Sequence, residues 1–138
     1  MFSLYAFVLC FLFALCGASP VPVNGTVNVL EKRITHTGRG TWFNVGLGNC
    51  GQWNSNSDPI VAISKSLYDQ NGGSNCGQWL TITNTANGKT ANGYVRDSCP
   101  SCGYNDIDLS PSLFQKLGSL DTGVLKVSWH FQAKGWKP

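Results

Sequence analysis

The chain has 138 residues, enough for one ordinary domain, and 42% of them are hydrophobic, 12% aromatic and 12% charged. Five tryptophans and a net charge of only +3 exclude a disordered protein, because disordered chains are poor in aromatic residues and rich in net charge. The ten Lys and Arg residues form no run longer than Lys32-Arg33, and no nucleic-acid-binding motif is present, which excludes a nucleic-acid-binding protein.

The first 33 residues carry signals for export and processing. The apolar run MFSLYAFVLCFLFALC breaks at small residues and predicts a signal peptide over residues 1–18, hence a secreted, extracellular protein with no membrane attachment after processing. No Lys or Arg precedes the run; the alternative, an uncleaved anchor, would need about 20 apolar residues. Residues 19–33 resemble a pro-segment whose Lys32-Arg33 pair is a dibasic processing site, although a solvated pair of charges is the alternative. The predicted domain spans residues 34–138.

Four cysteines follow the signal peptide, and an even number in a small secreted domain predicts two disulfides with three possible pairings. We favour Cys50 with Cys76 and Cys99 with Cys102. The Cys99-Pro-Ser-Cys102 spacing would also suit a zinc knuckle or a redox pair. Zinc would need a second close pair of ligands, and a redox pair usually begins a helix, whereas this one lies among Ser, Gly, Asn and Asp. The sequence therefore implies no metal and no organic cofactor.

Short β-strands predominate after Ile34. In chain order the pattern predicts strands over 40–43, 60–64, 79–83, 93–97 and 124–131, with a helical turn at 65–69 after the second strand. Asn87-Gly88 favours a hairpin turn between the third and fourth strands. One helix is well marked, because Ser110 can cap it, Pro111 suits its first position and Gly118 can end it. The loops at 44–58, 70–77 and 98–105 are rich in Asn and Gly. These features predict one mainly β domain.

Two aspartates stand out among the six that follow Ile34, a segment that contains no glutamate. Asp97 ends a predicted strand beside a cysteine. Asp108 lies between two apolar residues just ahead of the helix, where partial desolvation would raise its pKa and suit a proton donor. The alternative for Asp108 is a helix cap. Asp106 fits a solvated loop charge.

The aromatic residues are the second functional signal. Trp53 and Tyr104 lie in polar loops, and Trp42 lies on a strand flanked by Gly. Exposed rings beside Asn and Thr suit stacking on sugar rings, because the C–H face of a sugar packs on an aromatic face while its hydroxyls find amide partners. Large side chains that fill a small core are the alternative, and this is our expectation for Trp129, which shares a strand face with Val127 and Phe131.

Several ordered motifs resemble those of single-domain fungal expansin-like proteins of the loosenin type. They are GRGTWFNVGLGNCG, SNCGQWLTITNTANGKTANGYVRDSCPSCG, NDIDLSPSLFQKLG and GVLKVSWHF, and the resemblance runs from about Gly38 to Pro138. It implies a mainly β fold, a six-stranded double-psi β-barrel with one or two short helices, as in barwin, expansins, rare lipoprotein A and certain endoglucanases. It also implies a groove that binds cell-wall polysaccharide, cellulose or chitin, and loosens it without hydrolysis.

The same resemblance implies roles for individual residues. Asp108 matches the aspartate of the expansin DLS segment, Asp97 the aspartate after the preceding barrel strand, and Thr41 a groove hydroxyl, with Tyr104 a looser match. The Cys50-Gly51 and Cys76-Gly77 pairs match the bridged cysteines of expansin barrels.

Two departures from the pattern bear on activity. Expansins add a β-sandwich domain that binds the polysaccharide, so here binding is expected to rest on the barrel. Asn44 stands where the endoglucanases have an aspartate base, and an amide cannot act as a general base.

We therefore expect a monomeric, non-hydrolytic protein acting on insoluble polysaccharide (cellulose, chitin or another glucan). Asp108 would donate a proton hydrogen bond and Asp97 would orient it, and the substrate-binding residues would be Thr41, Trp42, Asn44, Trp53 and Tyr104. One alternative is a weak endoglucanase or a lytic transglycosylase on the same barrel. The other is a protein-binding module, such as a secreted cysteine-protease inhibitor or effector.

Overall fold

The computed structural model describes residues 34–138. The predicted signal peptide (1–18), the pro-segment (19–33) and the Lys32-Arg33 processing site lie outside this range. Within it, no helix combines the length and the apolar character that crossing a bilayer requires.

Six strands close into a barrel, which confirms the mainly β, double-psi architecture. The order around the barrel is β1-β5-β2-β4-β3-β6. The pairs β1–β5 and β2–β4 are parallel and the other four are antiparallel, so β1 and β6 close the barrel with His36 opposite Trp129. The strands are β1 (His36–Trp42), β2 (Ile60–Ser64), β3 (Trp79–Asn84), β4 (Thr90–Cys99), β5 (Ile107–Leu109) and β6 (Leu125–Phe131).

Two short α-helices and one 3-10 turn accompany the barrel: α1 (Lys65–Gln70), α2 (Pro111–Gln115) and Leu120–Thr122. The expectation for Ser110 needs a correction. It occupies the N-cap position of α2 but its side chain makes no cap hydrogen bond. Its buried hydroxyl instead accepts from the Ile60 amide at 3.1 Å, which satisfies a donor at the start of β2. The helix also ends at Gln115, three residues before Gly118.

The barrel interior is filled by the alternate apolar side chains of the strands, sealed at one side by α2. Trp129 is buried among them, as expected for a core residue, and its indole N–H donates to the Asn105 carbonyl at 2.8 Å. The other core members include Val61, Ile63, Leu80, Ile82, Val95, Ile107, Leu109, Leu113, Phe114, Leu117, Leu125, Val127 and Phe131. Because these side chains occupy the inner faces of strands β2 to β6, the polar residues between them must face outward.

Both favoured disulfides are confirmed. Cys50–Cys76 joins the long loop before β2 to the loop before β3, and Cys99–Cys102 closes a tight loop at the end of β4. Disulfides of this kind are typical of proteins that fold in an oxidising compartment.

Candidate functional site

Asp97 and Asp108 lie in one row across the outside of the barrel. In the strand registers Thr41 is opposite Asp108, Asp108 is opposite Ala62, and Ala62 is opposite Asp97. Residues in register on neighbouring strands present their side chains on the same face of a sheet. Asp108 faces outward because its neighbours in β5 are core residues, so it belongs to β5 and does not cap α2.

A β-bulge turns Asp97 toward the same face. Val61 pairs with Val95 and Ala62 pairs with Asp97, which leaves Arg96 as one extra residue in β4. Val95 faces the core, and strict alternation would send Asp97, two residues later, to the core as well. The extra residue shifts the alternation by one and places the Asp97 side chain outside.

The two acids are separated by a small, flat spacer. Ala62 stands between them and is only 2% exposed. Two strand spacings put the Cα atoms of Asp97 and Asp108 about 9.5 Å apart. We call Thr41, Asp108, Ala62 and Asp97 the outer row.

Asp108 has the environment of a proton donor. The Thr41 hydroxyl donates to its Oδ1 at 2.9 Å. Burial raises the pKa of the Asp108 carboxyl above its usual value; the hydrogen bonds from Thr41 and the Leu109 backbone oppose this effect, and the charge of Asp97 adds to it. The proton is therefore retained to higher pH than on a solvated aspartate.

Asp97 is fixed by the backbone around it. Its Oδ1 accepts from the amide of Asn49 at 2.9 Å and from that of Ser98 at 2.8 Å. The first of these bonds ties the loop before β2 to the end of the outer row. The two bonds therefore fix the orientation of the Asp97 carboxylate and hold the loop before β2 against it.

A polar depression of about 170 Å³ opens beside Asp108. It is lined by Arg39, Thr41, Cys99, Ser101, Cys102, Asp106 and Asp108. Asp106, expected to be a solvated loop charge, also accepts from the amides of Arg39 at 2.8 Å and Gly103 at 3.0 Å, and both bonds are exposed to solvent. Arg39 and Ser101 were not identified from the sequence. The register of β1 against β5 brings Arg39 to Asp108, and the loop closed by Cys99–Cys102 brings Ser101.

Trp53 lies on one arm of a narrow hairpin in the loop before β2. It forms an isolated β-bridge with Leu47, and the two side chains are 77% and 57% exposed. Asn49, at the turn of this hairpin, is the residue bonded to Asp97, so the hairpin rises from the Asp97 end of the outer row. Asn44 lies at the base of the same loop, where its side-chain oxygen accepts from Asn56 at 3.1 Å.

The structure separates two predicted substrate-binding residues from the outer row. Trp42 follows Thr41 in β1 and therefore points to the opposite face; its indole N–H donates to the Leu120 carbonyl at 3.1 Å. Tyr104 lines a different cavity, on the far side of the loop that carries Asp106, and its hydroxyl donates to Gln70 at 2.8 Å.

Across residues 34–138, no group of three or more His, Cys, Asp or Glu side chains could hold a metal ion. The outer row brings together a carboxyl whose pKa is raised by burial, a carboxylate held by backbone amides, and a hydroxyl.

Comparisons with known proteins converge on this barrel. No protein-family model matches the chain. A papain inhibitor from Streptomyces mobaraensis is 36% identical over 115 residues, which cover 80% of this chain and 78% of that protein. A solved structure of a Streptomyces papain inhibitor matches with a TM-score of 0.64 and 34% identity, over 72% of this chain and 96% of that one.

Expansin structures match as well. A mutant expansin from Clavibacter michiganensis, solved in complex with cellohexaose, superposes with a TM-score of 0.66 and 28% identity over 76% of this chain. The chain spans about half of the expansin, 54% of its length. These neighbours support an expansin-like barrel, and by its identity to the Streptomyces mobaraensis protein over most of both chains, this chain belongs to the papain inhibitor's family.

Proposed function

We propose that this protein is a secreted, expansin-like, non-hydrolytic protein that binds a chain of cell-wall polysaccharide along the outer row and loosens its packing. The observation that carries the proposal is the alignment of Thr41, Asp108 and Asp97 on one face, with Asp108 in the environment of a proton donor. The expansin neighbour in complex with cellohexaose supports a glucan as the ligand.

Loosening requires that hydrogen bonds between glycan chains be exchanged for bonds to the protein. A protonated Asp108 donates to a glycan hydroxyl, and the Thr41 hydroxyl, which holds the other carboxyl oxygen, fixes the direction of that donor. Asp97 accepts from the next sugar unit, since the two acids stand about two strand spacings apart. No bond of the glycan has to break in this exchange.

Hydrolysis would need a second group that activates water. Inverting glycosidases use a carboxylate base opposite the acid, at about 6.5–9.5 Å between carboxyl groups. The residue at the position of that base is an amide, Asn44, and it is bonded to Asn56. Asp97 commits one oxygen to two backbone amides, which suits a positioning role better than proton abstraction.

The test is a pull-down of the purified protein on insoluble cellulose and chitin, with reducing ends assayed in the same tubes. Asp108→Asn keeps an oxygen that accepts from Thr41, but replaces the acidic O–H by an amide N–H, which is a weaker hydrogen-bond donor. We expect binding and loosening to fall at least tenfold with no release of reducing ends from either protein. Asp69→Asn is the matched control, because Asp69 is an exposed partner of Lys65 on α1.

The fold of the Asp108→Asn variant is checked by its unfolding curve. Because the pKa of Asp108 is raised in the folded state, its ionised form destabilises the fold, so the amide should be at least as stable as the wild type at any pH above the folded pKa. Unchanged loosening by a folded Asp108→Asn protein would refute the proposal, and soluble reducing ends would show an enzyme instead.

The hairpin that carries Leu47 and Trp53 favours a second candidate function, inhibition of a papain-like cysteine protease. Protease inhibitors present a rigid, exposed loop, and here Cys50–Cys76 and the Asn49–Asp97 bond brace two largely exposed apolar side chains. The papain inhibitor among the relatives supports this candidate.

The two functions are separated by one pair of assays. Trp53→Ala should raise the inhibition constant for papain at least tenfold if the hairpin enters the protease cleft, because exposed tryptophans dominate binding where they become buried. Asp108→Asn should leave that constant unchanged. No inhibition by the wild type at micromolar concentration would eliminate this candidate.

A further inference from the structure

We infer that the cavity that contains Tyr104 is a second binding site, which takes one uncharged sugar residue. It has a volume of about 460 Å³, within the range of small-molecule sites, and lies between the start of β1, α1 and the loop before β5. It is separate from the depression beside Asp108, because no residue lines both.

The side chains that line the cavity favour a neutral ligand. The ten lining residues include no Asp, Glu, Lys or Arg, and the ring of His36 is bonded to Asn105 at 2.9 Å. A charged ligand would lose its hydration without gaining a carboxylate, ammonium or guanidinium side chain as counter-charge, which is costly.

Three amide side chains in the cavity are each fixed at one atom, which leaves the other atom for a ligand. Gln70 accepts from the Tyr104 hydroxyl at 2.8 Å through Oε1, Asn71 donates to Asn75 at 2.8 Å through Nδ2, and Asn105 bonds His36 at 2.9 Å through Oδ1. Gln70 Nε2, Asn71 Oδ1 and Asn105 Nδ2 have no partner among residues 34–138, which gives two donors and one acceptor. Side chains oriented before binding lose little entropy when the ligand arrives.

The rest of the lining is apolar or aromatic. Tyr104 is 44% exposed at the mouth of the cavity, and Leu67 and Phe131 are buried core residues that contribute to the wall. A neutral ring that offers hydroxyls on its edge and C–H groups on its face matches this combination of oriented amides and an open aromatic ring. A sugar residue has that chemistry.

This inference deepens the proposed function, since the same polysaccharide would supply the sugar, but its test is independent of Asp108. Cellobiose and diacetylchitobiose are titrated into isotope-labelled protein, and the perturbed amide signals are mapped. We expect the largest shifts at Gln70, Asn71, Tyr104 and Asn105, and a weaker response to glucuronate than to glucose.

The substitution Gln70→Glu tests the contribution of one hydrogen-bond donor, Gln70 Nε2. The carboxylate still accepts from Tyr104, but the Nε2 donor is lost, so the dissociation constant should rise roughly three- to tenfold. Gln115→Glu adds the same charge on the exposed side of α2 and should change nothing. Asp108→Asn should leave this affinity unchanged as well.

Each result is decisive for one of the two sites. Shifts confined to Thr41, Asp97 and Asp108, or no shift with any neutral sugar at tens of millimolar, would overturn the inference. Shifts at the cavity together with no pull-down on insoluble glycan would support the inference and refute the proposed function.

Discussion

Gly48→Ala tests whether the hairpin that carries Trp53 is held in place by the outer row. Gly48 packs against the bulge of β4, and a Cβ at this position would lie 2.2 Å from the Arg96 carbonyl oxygen and 3.3 Å from Asp97 Cβ. The atom in conflict is backbone oxygen, which cannot rotate away. The hairpin would therefore have to move outward.

The size of the effect follows from the bonds that this movement breaks. Restoring an ordinary contact from 2.2 Å requires a shift of about 1 Å. The Asn49 bond to Asp97, now 2.9 Å, and the Cys50 bond to the Arg96 carbonyl, now 3.1 Å, would both exceed hydrogen-bond distance. At about 1 kcal/mol each, their loss lowers the free energy of unfolding by about 2 kcal/mol, or roughly 10 °C in Tm for a domain of this size.

Urea unfolding and a thermal melt measure the loss, and the glycan pull-down reports whether Asp97 still orients its ligand. Gly46→Ala is the control in the same loop, because its Cβ would meet only the Trp53 ring at 3.8 Å, an ordinary contact. We expect Gly46→Ala to stay within about 0.5 kcal/mol of the wild type. Equal stability of Gly48→Ala and Gly46→Ala would show that Gly48 is not in close contact with the bulge of β4.

Three further outcomes are expected. Because the pKa of Asp108 is raised, loosening should decline as pH rises through its folded pKa; a pH profile that increases over that window would contradict a proton-donor role. The pKa of Asp58 is lowered mainly by the hydrogen bond from the Ser55 amide and then by that from Asn54. The ionised carboxylate therefore stabilises the fold above the unfolded-state pKa, and this stabilisation is lost as pH falls through the folded-state pKa. The unfolding curves of Asp58→Asn and wild type should differ at pH 7 and converge in acid. Phe114→Ala, at a fully buried position, should cost about 3–5 kcal/mol by urea unfolding, and a loss below 1 kcal/mol would contradict its place in the core.

The sequence predicts well those features that depend on local pattern. The alternation in 79–83 and 124–131 locates β3 and β6, and the apolar flanks of Asp108 already indicate an outward side chain. The resemblance to expansin-like proteins predicts the six-stranded barrel and the proximity of Asp97 to Asp108. The even count of cysteines predicts two disulfides, and the same resemblance supports the pairing of Cys50 with Cys76.

The features that the sequence misses depend on contacts between distant segments. β1 begins at His36, four residues earlier than predicted, because pairing with β6 makes a strand of a polar, glycine-containing stretch. β5 has only three residues and is defined by its neighbours on both sides. The Ser110 hydroxyl accepts from the first amide of β2 and does not cap α2. Tyr104 lines a cavity together with residues of α1. Local propensity contains none of this information.

The pairing of β1 with β6 has a consequence for the biogenesis of the protein. β1 lies between β5 and β6, so one of its two edges stays unpaired until the last strand has left the ribosome. Distant pairings of this kind form slowly, since the entropy of closing a long loop is lost before any contact is gained. A barrel of this topology therefore closes only after β6, its last strand, has been synthesised.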